Sequence, residues 1–73
     1  MKIYIIKHEE FEYDSFMGHV IVAWNEEEVR KVAIRKHADE GADVWTDATV
    51  TMVGFYHGTR KKAFILLSDF QSG

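Results

Sequence analysis

The sequence predicts an α+β two-layer sandwich: a four-stranded antiparallel sheet with one helix on one face, in the order ββαββ. Three observations lead there. One stretch, residues 24–41, carries both the start and the stop signals of a helix. Four stretches rich in Ile, Val, Thr and aromatic residues flank it, two on each side. The lengths also agree, because a helix of about 15 residues spans about 22 Å and a seven-residue strand about 23 Å.

The helix organises the chain. Asn25 is placed to cap it, its side-chain oxygen accepting from an amide one turn in. Glu28, three residues on, is placed to reach back to the Asn25 amide in a capping box, with Trp24 and Val29 at the two staple positions. Glu26, Glu27 and Glu28 put negative charge at the positive end of the helix dipole. Gly41 is the expected stop, free to take the left-handed conformation that closes a helix. Val29, Val32 and Ala33 form a narrow apolar stripe, broadened by Ile34 and extended by His37 and Ala38. Arg30, Lys31, Arg35 and Lys36 lie on the flanks or opposite. Glu26–Arg30 and Glu27–Lys31 are pairs one turn apart, each worth about 0.2–0.5 kcal/mol. So narrow a stripe needs a sheet to lie on.

Residues 3–8 read as the first strand, with Ile3 and Ile5 on one parity and Tyr4 and Ile6 on the other. Strands apolar on both faces are central or have their second face covered. Residues 9–15 read as a loop and 16–23 as the second strand, pairing with the first as a hairpin. After the helix comes a return loop, 41–47, in which Trp45 is an anchor folding back over the core edge. Residues 49–56 are expected as the third strand, with Gly54 marking a bulge or a close backbone approach. Residues 57–60 are expected as the turn of a second hairpin, 61–67 as the fourth strand, and 68–73 as a tail in which Phe70 packs back. One helix covers one face, so the apolar residues of the other are a candidate association surface and suggest a homodimer through the open sheet face. Lys61 and Lys62 are expected to blunt the edge of the last strand against edge-to-edge pairing.

The 73 residues make one small domain, 1–73, with no internal repeat or linker. A domain this small buries only about 60% of its unfolded surface, so its margin of stability is thin. There is no cysteine, which excludes disulfides and thiolate metal sites. No apolar run is long enough for a membrane span, and the opening residues lack the apolar core and cleavage site of a signal peptide. The expected location is the cytoplasm. A net charge of −3 argues against nucleic acid as the main partner.

The sequence holds little that points to catalysis. His8, His19, His37 and His57 fall in different elements with no metal-ligand spacing, so no metal and no cofactor are expected. The five glycines are dispersed and form no phosphate loop. Ser15 and Ser68 could meet a histidine in the fold, as a serine can in any small protein. The sharpest local composition is Glu9, Glu10, Phe11, Glu12, Tyr13 and Asp14, carboxylates alternating with aromatics. Such a loop is either solvated, with its aromatics tucked under the sheet, or an acidic contact patch for a basic partner, anchored by Phe11 or Tyr13. Two basic clusters, Arg30, Lys31 and Arg35 on the helix and Arg60, Lys61 and Lys62 before the last strand, form the alternative site. With Phe55, Tyr56 and His57 as stacking groups they suggest a nucleic-acid-binding accessory domain.

Several stretches resemble a group of small ββαββ proteins encoded by tailed phages and prophages. They are Tyr13-Asp14-Ser15-Phe16, Val22-Ala23-Trp24-Asn25-Glu26-Glu27-Glu28-Val29, Trp45, Val50-Thr51-Met52-Val53-Gly54, and the ending from Ile65 to Gly73. Members of that group end in Ser-Phe, a polar residue, a small residue and Gly, whereas here Asp69 stands between Ser68 and Phe70. The resemblance implies a context of binding and blocking a host protein, CRISPR and other defence machinery included. The expected function is therefore a non-enzymatic inhibitor that acts by steric occlusion.

Overall fold

The computed structural model describes residues 1–10 and 12–73. The chain runs β1 (Lys2–Lys7), β2 (Ser15–Ala23), α1 (Glu26–Arg35), a single 3-10 turn (Asp43–Trp45), β3 (Thr49–Phe55) and β4 (Phe64–Gln71). The four strands form one antiparallel sheet in the order β3-β1-β2-β4, with α1 on one face. The order ββαββ and the two-layer arrangement are as the sequence predicts. Of the three strands with apolar residues on both parities, β1 and β2 take the two central positions, where both faces can be covered, while β4 lies at an edge with Leu66 and Leu67 exposed.

The second hairpin does not form. β3 pairs with β1 and β4 with β2, so the last two strands lie on opposite edges of the sheet. Residues 56–63 cross beneath the end of the central hairpin, and 57–60 belong to this crossover. The connection is longer than the about 2–5 residues of most hairpin loops. It is pinned at its start, where the Tyr56 amide donates to Met1 O at 3.1 Å, and towards its far end, where the Trp24 indole Nε1 donates to the Lys61 carbonyl at 3.1 Å. β4 accordingly begins three residues later than the apolar pattern suggests and runs through Ser68–Gln71, which the sequence pattern assigns to a tail. Phe70 does pack back, edge-on to Phe16 with ring centroids 4.9 Å apart.

The start of α1 follows local chemistry. The Glu28 amide donates to Asn25 Oδ1 at 2.9 Å. The Glu28 carboxylate reaches one residue beyond the expected cap, to the Trp24 amide at 2.7 Å. The end of the helix departs from expectation. It stops at Arg35, and the Lys36 amide donates to both Val32 O and Ala33 O at 3.1 Å. Gly41 does have a left-handed backbone, φ +79°, but it serves a separate turn.

The core between the layers holds Tyr4, Ile6, Ile21, Ala23, Val29, Ala33, Trp45 and Ala48, with Val32 half-buried at its margin. Val29→Ala is expected to cost about 2–3 kcal/mol and Val32→Ala about 1 kcal/mol, by lost transfer energy plus cavity. Thermal melts check this, and an unchanged melting temperature in Val32→Asp would overturn the placement of the stripe. Among the described residues, the opposite face is covered at one end only. There Val22, fully buried, lies between Ile3 and Phe64 in the sheet, and the Tyr56 and Phe64 rings meet at 5.4 Å. Towards the other end Ile5 and Leu67 stay exposed on either side of Val20.

Candidate functional site

The connection 8–14 leaves the sheet at the end opposite the crossover. The segment after α1, residues 36–48, comes back to that same end before entering β3. Glu40 ties the two together. Its Oε1 accepts from the Phe16 amide and the Ala38 amide, each at 3.0 Å, and its Oε2 accepts from the Trp45 indole at 3.0 Å. One buried carboxylate thus joins the start of β2, the turn after α1 and the 3-10 turn. Burial by itself raises the Glu40 pKa, but the Phe16, Trp45 and Ala38 hydrogen bonds outweigh it and hold the carboxyl below its ordinary 4.5. A second tie runs from the Asp39 amide to Asp14 O at 3.1 Å.

Beneath this end lies a stack of rings. Trp45, fully buried, meets His8 edge-on at 4.8 Å and His19 at 4.9 Å. The Glu10 amide donates to His8 Nδ1 at 3.2 Å, which leaves the proton on Nε2 to be donated to Phe16 O at 2.7 Å. His19 Nδ1 sits 2.7 Å from Ser68 Oγ, while its Nε2 is buried and has no partner among the described residues. Burial lowers the His19 pKa below its ordinary 6.5. Lys36 and His8 add to this, the Glu40 carboxylate opposes it, and the ring is neutral at pH 7. Trp45 is therefore a central core residue, more deeply placed than an anchor at the edge.

On the surface above, Glu9, Glu10, Glu12, Tyr13 and Asp14 are all exposed. Asp14 has a left-handed backbone, φ 57°, and its Oδ1 accepts from the Gly73 amide at 3.1 Å. Phe11, the other expected anchor, lies outside the described residues. The fold adds three carboxylates that the sequence reading passed over: Asp39, Asp43 and Asp47, also exposed. Glu9 and Glu10 form one wall, and Asp43 and Asp47 the other, of an open groove of about 460 Å³. Their recurrence at every fourth position between the helix and β3 was the available signal. The result is a predominantly acidic surface built from two segments some 30 residues apart in the chain, with Lys7 as the one cation lining the groove. No group of three or more His, Asp or Glu among the described residues is arranged to hold a metal ion.

The basic clusters are dispersed. Arg30 is a structural clamp: its Nη1 donates to the carbonyls of Trp45, Thr46 and Ala48 at 2.8–3.2 Å, and its Nη2 pairs with Glu26 at 3.0 Å. Lys31 pairs with Glu27 at 3.6 Å, and Arg35 is exposed near the helix end. Arg60 lies over the Phe64 ring at 4.2 Å, in the crossover with exposed Lys61 and Lys62. No helix is long and apolar enough to cross a membrane among the described residues. No protein-family model, curated protein or solved structure matches this chain.

Proposed function

We propose that this protein binds a basic surface of another protein with its acidic end and acts by occlusion, without chemistry of its own. The observation that carries the reading is the convergence of Glu9, Glu10, Glu12 and Asp14 with Asp39, Asp43 and Asp47 on one end of the sheet, joined by the Glu40 hydrogen bonds. Like charges gathered this closely repel and mildly destabilise the free protein. A cationic partner relieves that repulsion and is steered in faster. The Ser68–His19 contact supports a role other than catalysis, since a working base needs an orienting acceptor at its second nitrogen and the Glu40 oxygens are engaged elsewhere. A nucleic-acid role draws less support, because Arg30 spends its guanidinium on the protein's own carbonyls. The resemblance to small phage and prophage proteins supplies the context: a phage-encoded inhibitor in the host cytoplasm, occluding a host protein such as a CRISPR or other defence component.

The test is a capture from bacterial lysate with mass-spectrometric identification, followed by kinetics on the identified partner. The variant combining Glu9→Lys, Glu10→Lys and Glu12→Lys is expected to melt within a few degrees of the parent. Its association is expected to be about tenfold slower at low salt, with the difference fading as ionic strength rises. Unchanged association kinetics would remove the acidic end as the interface.

A further inference from the structure

We propose that a second copy of this chain packs on the open face of the sheet, face to face and antiparallel, with its crossover end seated in the groove beside Gly18. The strand registers set three rows on this face. Lys7, Gly18 and Asp69 form the row at the acidic end, Ile5, Val20 and Leu67 the middle row, and Ile3, Val22 and Phe64 the row at the crossover end. The middle row is apolar throughout, with Ile5 38% and Leu67 67% exposed. The two outer rows differ in height. At the crossover end the Tyr56 and Phe64 rings meet at 5.4 Å and Val22 is fully buried. At the acidic end Gly18 has no side chain, and Ile5, Lys7, Gly18, Val20, Leu67 and Asp69 line an open groove of about 460 Å³.

A two-fold contact requires a patch that complements itself. An axis laid across the strands, over the middle row, sets each strand over its own copy running the other way. Ile5, Val20 and Leu67 then meet their own counterparts, and the row of Gly18 meets the row of Val22. The filled end of each copy enters the groove of the other. Face-to-face sheets cross at about 30°, and the rows nearest the axis stay matched at that angle.

Charge complementarity selects a second copy as the occupant and fixes its direction. Val22 pairs with Phe64 and Gly18 with Asp69, so the bulge at Leu66 makes Phe64, and not Ile65, the counterpart of Asp69 about the middle row. Asp69 of one copy therefore lies over Phe64 of the other, where the Arg60 guanidinium stands 4.2 Å from the ring. Symmetry makes this Asp69–Arg60 pair twice. Within one chain neither group has an ion pair: among the described residues those formed are Glu26–Arg30 and Glu27–Lys31, and Asp69 Oδ1 accepts from the Gln71 side chain at 3.2 Å. Lys7 comes over Ile3 of the second copy, its stem on apolar surface and its ammonium reaching water past the end of the strand. Copies stacked with their strands running the same way would instead set Glu9 and Glu10 against Glu9 and Glu10, and the crossover cations Arg60, Lys61 and Lys62 against themselves.

This contact needs no host protein, so its failure is separable from failure of the acidic end as an interface. Sedimentation velocity over a concentration series reaching high micromolar is expected to show a monomer–dimer equilibrium. The parent chain has no cysteine, so single cysteines report the contact through a short thiol crosslinker. Ile5→Cys and Leu67→Cys are expected to crosslink two copies while melting within a few degrees of the parent. Met52→Cys, beside Tyr4 on the helix side of β3, and Lys31→Cys on α1 are expected not to. Asp69→Arg and Arg60→Asp are each expected to weaken the dimer about tenfold at low salt, and the two together in one chain to restore it. A strict monomer throughout the series overturns the proposal. So does a dimer that Ile5→Cys fails to crosslink, or a double reversal that associates no better than the single ones.

Discussion

Trp45→Ala is expected to remove about 3–5 kcal/mol of stability, the range for emptying the site of a large buried aromatic side chain. A loss of that size lowers the melting temperature of a domain this small by more than about 12 °C. The reason lies in what the indole touches. It is fully buried, meets the rings of His8 and His19, and donates to Glu40 Oε2 at 3.0 Å. Cavity and unpaired acceptor therefore arise together. Trp45→Phe separates the two effects, because a ring remains between the histidines while the N–H to Glu40 is gone, and about 1–2 kcal/mol is expected to be lost. Equilibrium urea unfolding of the three proteins checks both figures. If Trp45→Ala melted within a few degrees of the parent, the core would not be organised around this residue.

Glu40→Ala is expected to be of comparable severity. It leaves the Phe16 amide, the Ala38 amide and the Trp45 indole without their acceptor; the buried indole left unpaired costs about 1–3 kcal/mol, and the two part-buried amides add less each. Glu40→Gln is not a rescue. Its amide group must turn an N–H towards either the two backbone donors or the indole. The same residue sets part of the acid response. The Glu40 carboxyl is held below its ordinary 4.5, so its contribution is present above that pH and is lost as pH falls through the lower folded value. His19 acts at higher pH with the same sign. Its pKa is depressed from 6.5, so the unfolded chain takes up the proton first, and stability declines from about pH 6.5 downward to the folded value. Melts over pH 3–8 are expected to show stability falling from about pH 6.5 and again below about 4.5. His19→Phe is expected to flatten the upper part of that fall while leaving the lower part. An acid response unaltered by both His19→Phe and Glu40→Gln would show that other groups govern it.

Arg30 and Trp24 show how a residue's neighbours in the chain can mislead. By spacing, Arg30 reads as a surface cation on a basic helix face; in the fold it organises the 3-10 turn by gathering three carbonyls. Trp24 reads as a staple over Val29, yet it stays half-exposed and fastens the crossover through Lys61. In both cases the partner lies 15 or more residues away, beyond the reach of periodicity. The acidic site divides in the same way. Glu9, Glu10, Glu12 and Asp14 are contiguous and visible as a cluster, whereas Asp39, Asp43 and Asp47 join them only because Glu40 and Asp39 fasten one segment to the other.

The sequence by itself determined the features whose partners are close along the chain. Asn25 caps α1 because the Glu28 amide is three residues away, and β1 and β2 are strands because β-branched and aromatic residues fill both parities. The tertiary structure decided the rest. Helix propensity differs by only a few tenths of a kcal/mol per residue, so carrying α1 on to Gly41 would gain less than Glu40 gains by leaving the helix and accepting three hydrogen bonds, one buried and two part-buried. β3 and β4 separated for a similar reason. Pairing them with each other would leave the double-sided apolar strands β1 and β2 with an open edge, whereas setting one on each side brings both into the middle of the sheet.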